Sequence, residues 1–136
     1  MAIYLLDTTA FSAIMDEHPR VLAHADALSP IHLLVTCAIV RGEVLFGLER
    51  MPEGRKRRHL EVKAANLFEW IPCEPIPVAA GDVYARIKHD AETQGTPLDD
   101  NDLWIAATCL HLGARLVTSD TDFRRIKSLP TEDWTA

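Results

Sequence analysis

The feature that most restricts this chain is a series of short apolar runs, each too brief for a helix and each followed by a helical pattern. Residues 2–6, Ala-Ile-Tyr-Leu-Leu, stop at Asp7 and read as a buried strand. Helical signals follow over 9–28, broken near Pro19. Residues 31–36 form a second candidate strand, and 37–50 return to a helix with Val40, Val44 and Leu48 one turn apart. Pro52 ends that helix, another covers 53–68, and Trp70-Ile71 opens a third short strand before Pro72. A helix over 78–94 closes at Gly95. The next, over 102–112, has acids at its start and Gly113 after its end. Residues 114–118 make a strand, and a short helix near 121–127 leads to the tail at Trp134. Strands alternating with helices predict an α/β fold, three layers around a mainly parallel central sheet. With 136 residues and no linker, repeat or low-complexity stretch, one domain over 1–136 is expected.

Composition narrows the function classes. No apolar run approaches the roughly 20 residues of a membrane helix, and residues 1–6 lack the basic start and full apolar stretch of a signal peptide. A cytoplasmic location is expected. Three widely spaced cysteines, Cys37, Cys73 and Cys109, suit neither a disulfide framework nor a zinc knuckle and are expected to pack as small apolar residues. The net charge of -6 hides an uneven distribution. Arg50, Arg55, Lys56, Arg57, Arg58 and Lys63 cluster together, and Arg124, Arg125 and Lys127 lie near the C-terminus. The acids gather elsewhere, at Asp99, Asp100 and Asp102 and at Asp120 and Asp122. A basic run beside an acidic cluster suits a metal-dependent nuclease, holding phosphates with one and ions with the other. A solvated helix face over 53–63 would give the same run.

Four acids stand where plain packing does not need them. Asp7 follows the first strand and Asp120 comes two residues after Leu116-Val117-Thr118, so both should emerge at the carboxyl edge of the sheet, where open α/β folds bind ligands. Glu43 lies in an otherwise apolar helix beside Val40 and Val44, where a carboxylate needs a partner or a cation. Asp102 opens the apolar helix Leu-Trp-Ile-Ala-Ala-Thr-Cys-Leu. Each also has an ordinary reading: a helix cap or first-turn acid for Asp7 and Asp102, a turn residue for Asp120, and an ion pair of Glu43 with Arg41 or a distant Arg. All four can nevertheless converge at one edge. Clustered carboxylates need a cation or shared protons, and an oxygen-rich set without His or Cys suits Mg2+ or Mn2+. Such ions activate water and polarise phosphodiesters. The residues alone reach metal-dependent phosphate chemistry and not its substrate.

Four ordered segments carry a resemblance: residues 4–12, Tyr-Leu-Leu-Asp-Thr-Thr-Ala-Phe-Ser; 41–50, Arg-Gly-Glu-Val-Leu-Phe-Gly-Leu-Glu-Arg; 95–107, Gly-Thr-Pro-Leu-Asp-Asp-Asn-Asp-Leu-Trp-Ile-Ala-Ala; and 116–123, Leu-Val-Thr-Ser-Asp-Thr-Asp-Phe. Together with Leu-Pro-Thr-Glu-Asp-Trp over 129–134 they resemble the PIN-domain ribonucleases, specifically VapC-type toxins of bacterial type II toxin–antitoxin pairs. The resemblance implies a PIN-like α/β/α fold and an endoribonuclease leaving 5′-phosphate and 3′-hydroxyl ends. Asp7, Glu43, Asp102 and Asp120 would be its catalytic and metal-holding acids, for Mg2+ or Mn2+, with Thr9, Asp100, Thr118 and Asp122 as accessories. Thr9 stands where the family often has Asn or Ser, and Asp100 would substitute for Asp102 or assist it. The family further implies a VapB-type antitoxin whose tail fills the acidic groove, an RNA substrate and a homodimer. Arg55, Lys56, Arg57 and Arg58 are the candidates for holding the RNA backbone, while His59 is expected to be exposed.

Rival families fit less well. A two-component receiver domain would need an acid pair after the first strand and a Lys after the last core strand, but Asp7 is followed by threonines and Thr118 by Ser119. A haloacid-dehalogenase-like phosphatase would need Asp where Thr9 stands. The non-enzyme alternative is a PIN-like RNA-binding or interaction module without catalysis.

Overall fold

In the computed structural model, which describes residues 1–136, five strands form one sheet in the order β3-β2-β1-β4-β5. They are β1 (Ile3–Leu6), β2 (Leu33–Cys37), β3 (Cys73–Glu74), β4 (Arg115–Val117) and β5 (Thr131–Glu132). Every pairing is parallel, so the sheet is wholly rather than mainly parallel. The central β1 pairs Leu5 with Val35 on one side and with Leu116 on the other. Strands covered on both faces need continuous apolar sequence, and Leu5, Leu6, Val35, Leu116 and Val117 are all buried.

Helices α1 (Thr8–Met15) and α2 (Pro19–Ala27) connect β1 to β2. The break between them falls where the fixed dihedral of Pro19 suits the first position of a new helix. Helices α3 (Ala38–Glu49) and α4 (Arg55–Trp70) precede β3, and α5 (Ala80–Thr93) and α6 (Asp100–Leu112) precede β4. Gly113, at φ 65°, closes α6 in the left-handed conformation that glycine adopts without strain. A 3-10 turn at Thr121–Arg125 leads to β5.

One expected strand is displaced. Trp70 does not open β3; it is the last residue of α4 and is 83% exposed, while the strand forms two residues beyond Ile71, at Cys73. Ile71 supplies the buried apolar anchor there, so the Trp-Ile pair straddles a boundary. The core is one cluster of 28 buried residues joining both helical layers to the sheet. Phe11 is fully buried and stacks on Phe68, with ring centroids 4.5 Å apart, and the Arg41 guanidinium lies over the same Phe68 ring at 4.6 Å. At the other end of the molecule Trp134 stacks on His24 and packs against Tyr4, fastening the C-terminal segment. No helix is long and apolar enough to cross a membrane.

Candidate active site

The chain runs outward from β1 through β2 to β3 and then returns to β4 on the other side of β1, so the strand order reverses between β1 and β4. In open α/β sheets such a reversal leaves a crevice at the carboxyl ends of the two strands. Asp7 follows β1 and Asp120 follows β4, which puts both at that crevice. The Asp7 amide donates to the carbonyl of Val117 at 3.1 Å, joining the two strand ends directly.

Asp7 is 2% exposed and its carboxylate is held from three directions. Oδ1 accepts from the Ala10 amide at 2.9 Å and from the Thr9 hydroxyl at 2.7 Å, and Oδ2 accepts a short hydrogen bond from the Thr118 hydroxyl. The first of these makes Asp7 the N-cap of α1, as the capping reading expects, while its carboxylate still stands at the crevice. Burial pushes the Asp7 carboxyl above its ordinary value, these hydrogen bonds oppose that, and the charge of Asp120 adds to it. The two hydroxyls also cross-link the crevice. Thr118 accepts from the Asp120 amide at 2.9 Å, and Thr9 accepts from the Ser119 amide at 3.1 Å. Asp120 Oδ1 in turn accepts from the Asp122 amide and caps the 3-10 turn.

Glu43 does not pair with Arg41, which lies over Phe68. Its Oε1 accepts from the Thr8 hydroxyl at 2.6 Å, which points the carboxylate from α3 toward the start of α1. Asp102, in the first turn of α6, completes the group. Its carboxyl is pushed up to about 6, first by burial and then by the negative charges of Asp120, Glu43, Asp99 and Asp7. The four expected acids therefore share one electrostatic environment at the crevice.

The accessory acids are engaged elsewhere. Asp100 turns to α5, where it accepts from Tyr84 Oη at 2.8 Å and Lys88 Nζ at 2.9 Å, and the Lys88 contact holds its carboxyl below the usual range. Its neighbour Asp99, and not Asp100, is the loop acid that acts on Asp102. Asp122 pairs with Arg125 at 3.2 Å. Arg57 is also taken: its guanidinium contacts Glu49 at 3.2 Å, Glu61 at 3.4 Å and the Met51 carbonyl at 3.2 Å, fastening the start of α4 to the end of α3. That removes it from the RNA-holding set. Arg55, Lys56, Arg58 and His59 are exposed.

A groove of about 340 Å3 runs from the acids between α1, α3 and α4; Thr8 and Glu43 stand at one end, Val44, Leu48 and Leu60 form apolar walls, and Arg50 lines it farther along α3. Lys56 lies one turn before Leu60 on the same helical face. The sequence does not distinguish Thr8, and it marks Arg50 only as one member of the basic cluster. The signal for Thr8 was weak because its partner lies 35 residues away.

The donor set at the crevice contains carboxylate and hydroxyl oxygens. The nearby Cys37 is fully buried and its thiol is pushed up to about 11, so it offers no soft thiolate ligand. No three His, Cys, Asp or Glu side chains are drawn together closely enough to enclose a bare ion. Oxygen donors that reach partway suit a hard divalent cation that keeps several of its waters.

The sequence matches the profile of the PIN domain family over residues 4–129. The chain belongs to the PIN-domain family. Ribonuclease VapC1 of Haemophilus influenzae (strain R2866) is 31% identical to this PIN domain over 138 aligned positions, which cover 98% of each chain. Among solved structures, VapBC-1 from nontypeable Haemophilus influenzae superposes with a TM-score of 0.88 at 28% identity, covering 98% of this chain and 99% of that one. A member of the VapBC family of toxin-antitoxin systems, VapBC-5 from Mycobacterium tuberculosis, shares the fold with a TM-score of 0.75 at 23% identity, covering 97% of each chain.

Proposed function

We propose that this PIN domain is a metal-dependent endoribonuclease, the toxin of a VapBC-type pair, using Asp7, Glu43, Asp102 and Asp120. One observation carries the reading: four carboxylates from four different parts of the chain act on one another at the switch point, and Asp102 is raised to about 6 largely by burial and the other acids. Evolution rarely retains such repulsion without a use for it, and a divalent cation relieves it. A bound Mg2+ or Mn2+ supplies Lewis-acid polarisation of the phosphodiester and acidifies water for in-line attack on phosphorus. The chain's own residues do the rest. Thr9, Thr118 and the Ala10 amide fix Asp7, Thr8 aims Glu43, and Asp7, Glu43, Asp102 and Asp120 would together hold the ion. Arg50 and Lys56, with Arg55 and Arg58 beyond them on α4, provide cations along the groove for the RNA backbone.

The likeness to VapC ribonucleases supports RNA as the substrate. The VapBC neighbours support an antitoxin partner, whose tail would lie in the groove and bring an arginine to Glu43 and its neighbouring acids. A homodimer fits the exposed apolar face of α3, where Phe46 is 62% and Leu45 39% exposed.

The deciding experiment compares wild type with Asp7→Asn on total cellular RNA, with Mn2+ or Mg2+ and with excess EDTA. Asn keeps the cap of α1 while removing the charge. Discrete metal-dependent cuts, lost in the variant, are expected. RNA bound but uncut by both proteins would instead favour a binding module without catalysis.

A further inference from the structure

We propose that Arg124 and the polar recess beside Asp120 hold a second phosphate of the RNA, next to the one being cut. This rests on the nuclease reading of the acid crevice. The recess has a volume of about 70 Å3 and no apolar residue in its wall; Ser119, Asp120, Thr121, Arg124, Thr131 and Asp133 line it. It opens at the carboxyl ends of β4 and β5, on the opposite flank of the acids from the Arg50 groove.

Arg124 differs from its neighbours. Arg125 donates to the Pro97 carbonyl at 2.9 Å and pairs with Asp122, and Arg115 pairs with Glu132 at 2.6 Å. Arg124 has no carboxylate within ion-pair distance, although Asp120 and Asp133 share its recess. Each acid is turned through one oxygen toward its own backbone: Asp133 Oδ1 accepts from the Thr135 amide at 2.9 Å and hydroxyl at 2.6 Å, and Asp120 Oδ1 accepts from the Asp122 amide. The hydroxyls of Ser119, Thr121 and Thr131 make no hydrogen bond within the chain.

A guanidinium with no close ion pair, its charge felt by Asp133 across the recess, together with free hydroxyl donors makes a recess suited to a tetrahedral anion. The flanking carboxylates would repel a free anion. They are tolerable for a phosphate delivered as part of a chain whose neighbour sits on a cation at Asp7 and Asp102, because the second site is then filled intramolecularly. Arg50 on one flank and Arg124 on the other define a path for a single strand across the acids.

The test titrates monovalent salt against binding of a short labelled single-stranded RNA at a fixed Ca2+ concentration, with Ca2+ in place of Mn2+ to occupy the acids while slowing turnover, for wild type, Arg124→Gln, Arg124→Lys and Arg115→Gln. Loss of one phosphate contact should make the logarithmic salt slope shallower by about 0.7. Affinity at fixed salt should fall roughly tenfold for Arg124→Gln and recover in part for Arg124→Lys. In metal-dependent cleavage of the same RNA, KM should rise for Arg124→Gln with kcat changed less than about twofold, the pattern of lost uniform binding. The melting temperature should change by less than about 1 °C, because the Arg124 side chain makes no hydrogen bond or close ion pair in the fold. Arg115→Gln should bind like wild type. An unchanged slope and KM in Arg124→Gln, with the wild type still cutting, would overturn the phosphate seat and leave the nuclease standing. A wild type that binds with an Arg124-dependent slope but never cuts would overturn the nuclease and keep the seat.

Discussion

Asp102 holds a carboxyl where burial and neighbouring acids work against its charge. Its folded-state carboxyl titrates at about 6, above the ordinary 3.8, so the folded protein binds a proton more tightly than the unfolded chain. The sign follows: the folded state gains stability as pH falls through 6 toward 4, and lacks that gain at neutral pH. In EDTA, Asp102→Asn should therefore melt higher than wild type at pH 7.5, by roughly 2–6 °C. The gap should narrow at pH 4.5. Thermal melts at the two pH values check this, and a variant that melts lower at pH 7.5 would contradict the crowding of charges. The acids themselves were legible because each breaks a local rule, either by ending an apolar strand or by interrupting an apolar helix face. Their hydroxyl partners were not. Thr8 and Glu43 meet only because α1 and α3 leave neighbouring strands at the same edge.

At the level of elements, the basic run at the start of α4 divides into two kinds of residue. Arg57 is half-buried against Glu49, Glu61 and two carbonyls at the end of α3, while Arg55 and Arg58 face water. Arg57→Ala should cost about 1–2 kcal/mol in denaturant unfolding, because it strips hydrogen bonds from helix-terminal carbonyls as well as ion pairs. Arg55→Ala and Arg58→Ala should each stay within about 0.5 kcal/mol. Equal effects at all three positions would show that the α3–α4 junction is not held this way. Charge pattern alone grouped the four residues, since helical spacing cannot reveal which member meets a neighbouring helix. The same limit displaced β3. Trp70 is a strong strand former by composition, but α4 carries it into solvent and the short pairing of Thr36 with Cys73 lies beyond Pro72. Gly113 was legible for the opposite reason, because the left-handed turn ending α6 is a local requirement. Gly113→Ala should cost about 1 kcal/mol in the same unfolding assay.

For the whole molecule, repulsion at the switch point predicts a stabilising cation. Mn2+ at a hundredfold excess over its Kd should add about 2.7 kcal/mol to unfolding, seen as a higher melting temperature in wild type. Asp7→Asn should lose most of that increase. A shift of equal size in the variant would move the ion away from the crevice. The α/β class, the parallel sheet and the four acids could all be read along the chain, because strand ends and helix faces are local patterns. Which of the clustered cations flank the crevice could not, since Arg50 and Arg124 come to line its two sides only once the sheet is assembled.

That assembly also has an order in time. The central strand β1 and Asp7 are made before β4 and the Thr118 hydroxyl that grips Asp7, which comes 111 residues later. A ribosome builds the chain at a pace of about 5–20 residues per second, so the site stays incomplete for several seconds of synthesis. A crevice assembled this way is not complete until nearly the whole domain has been made.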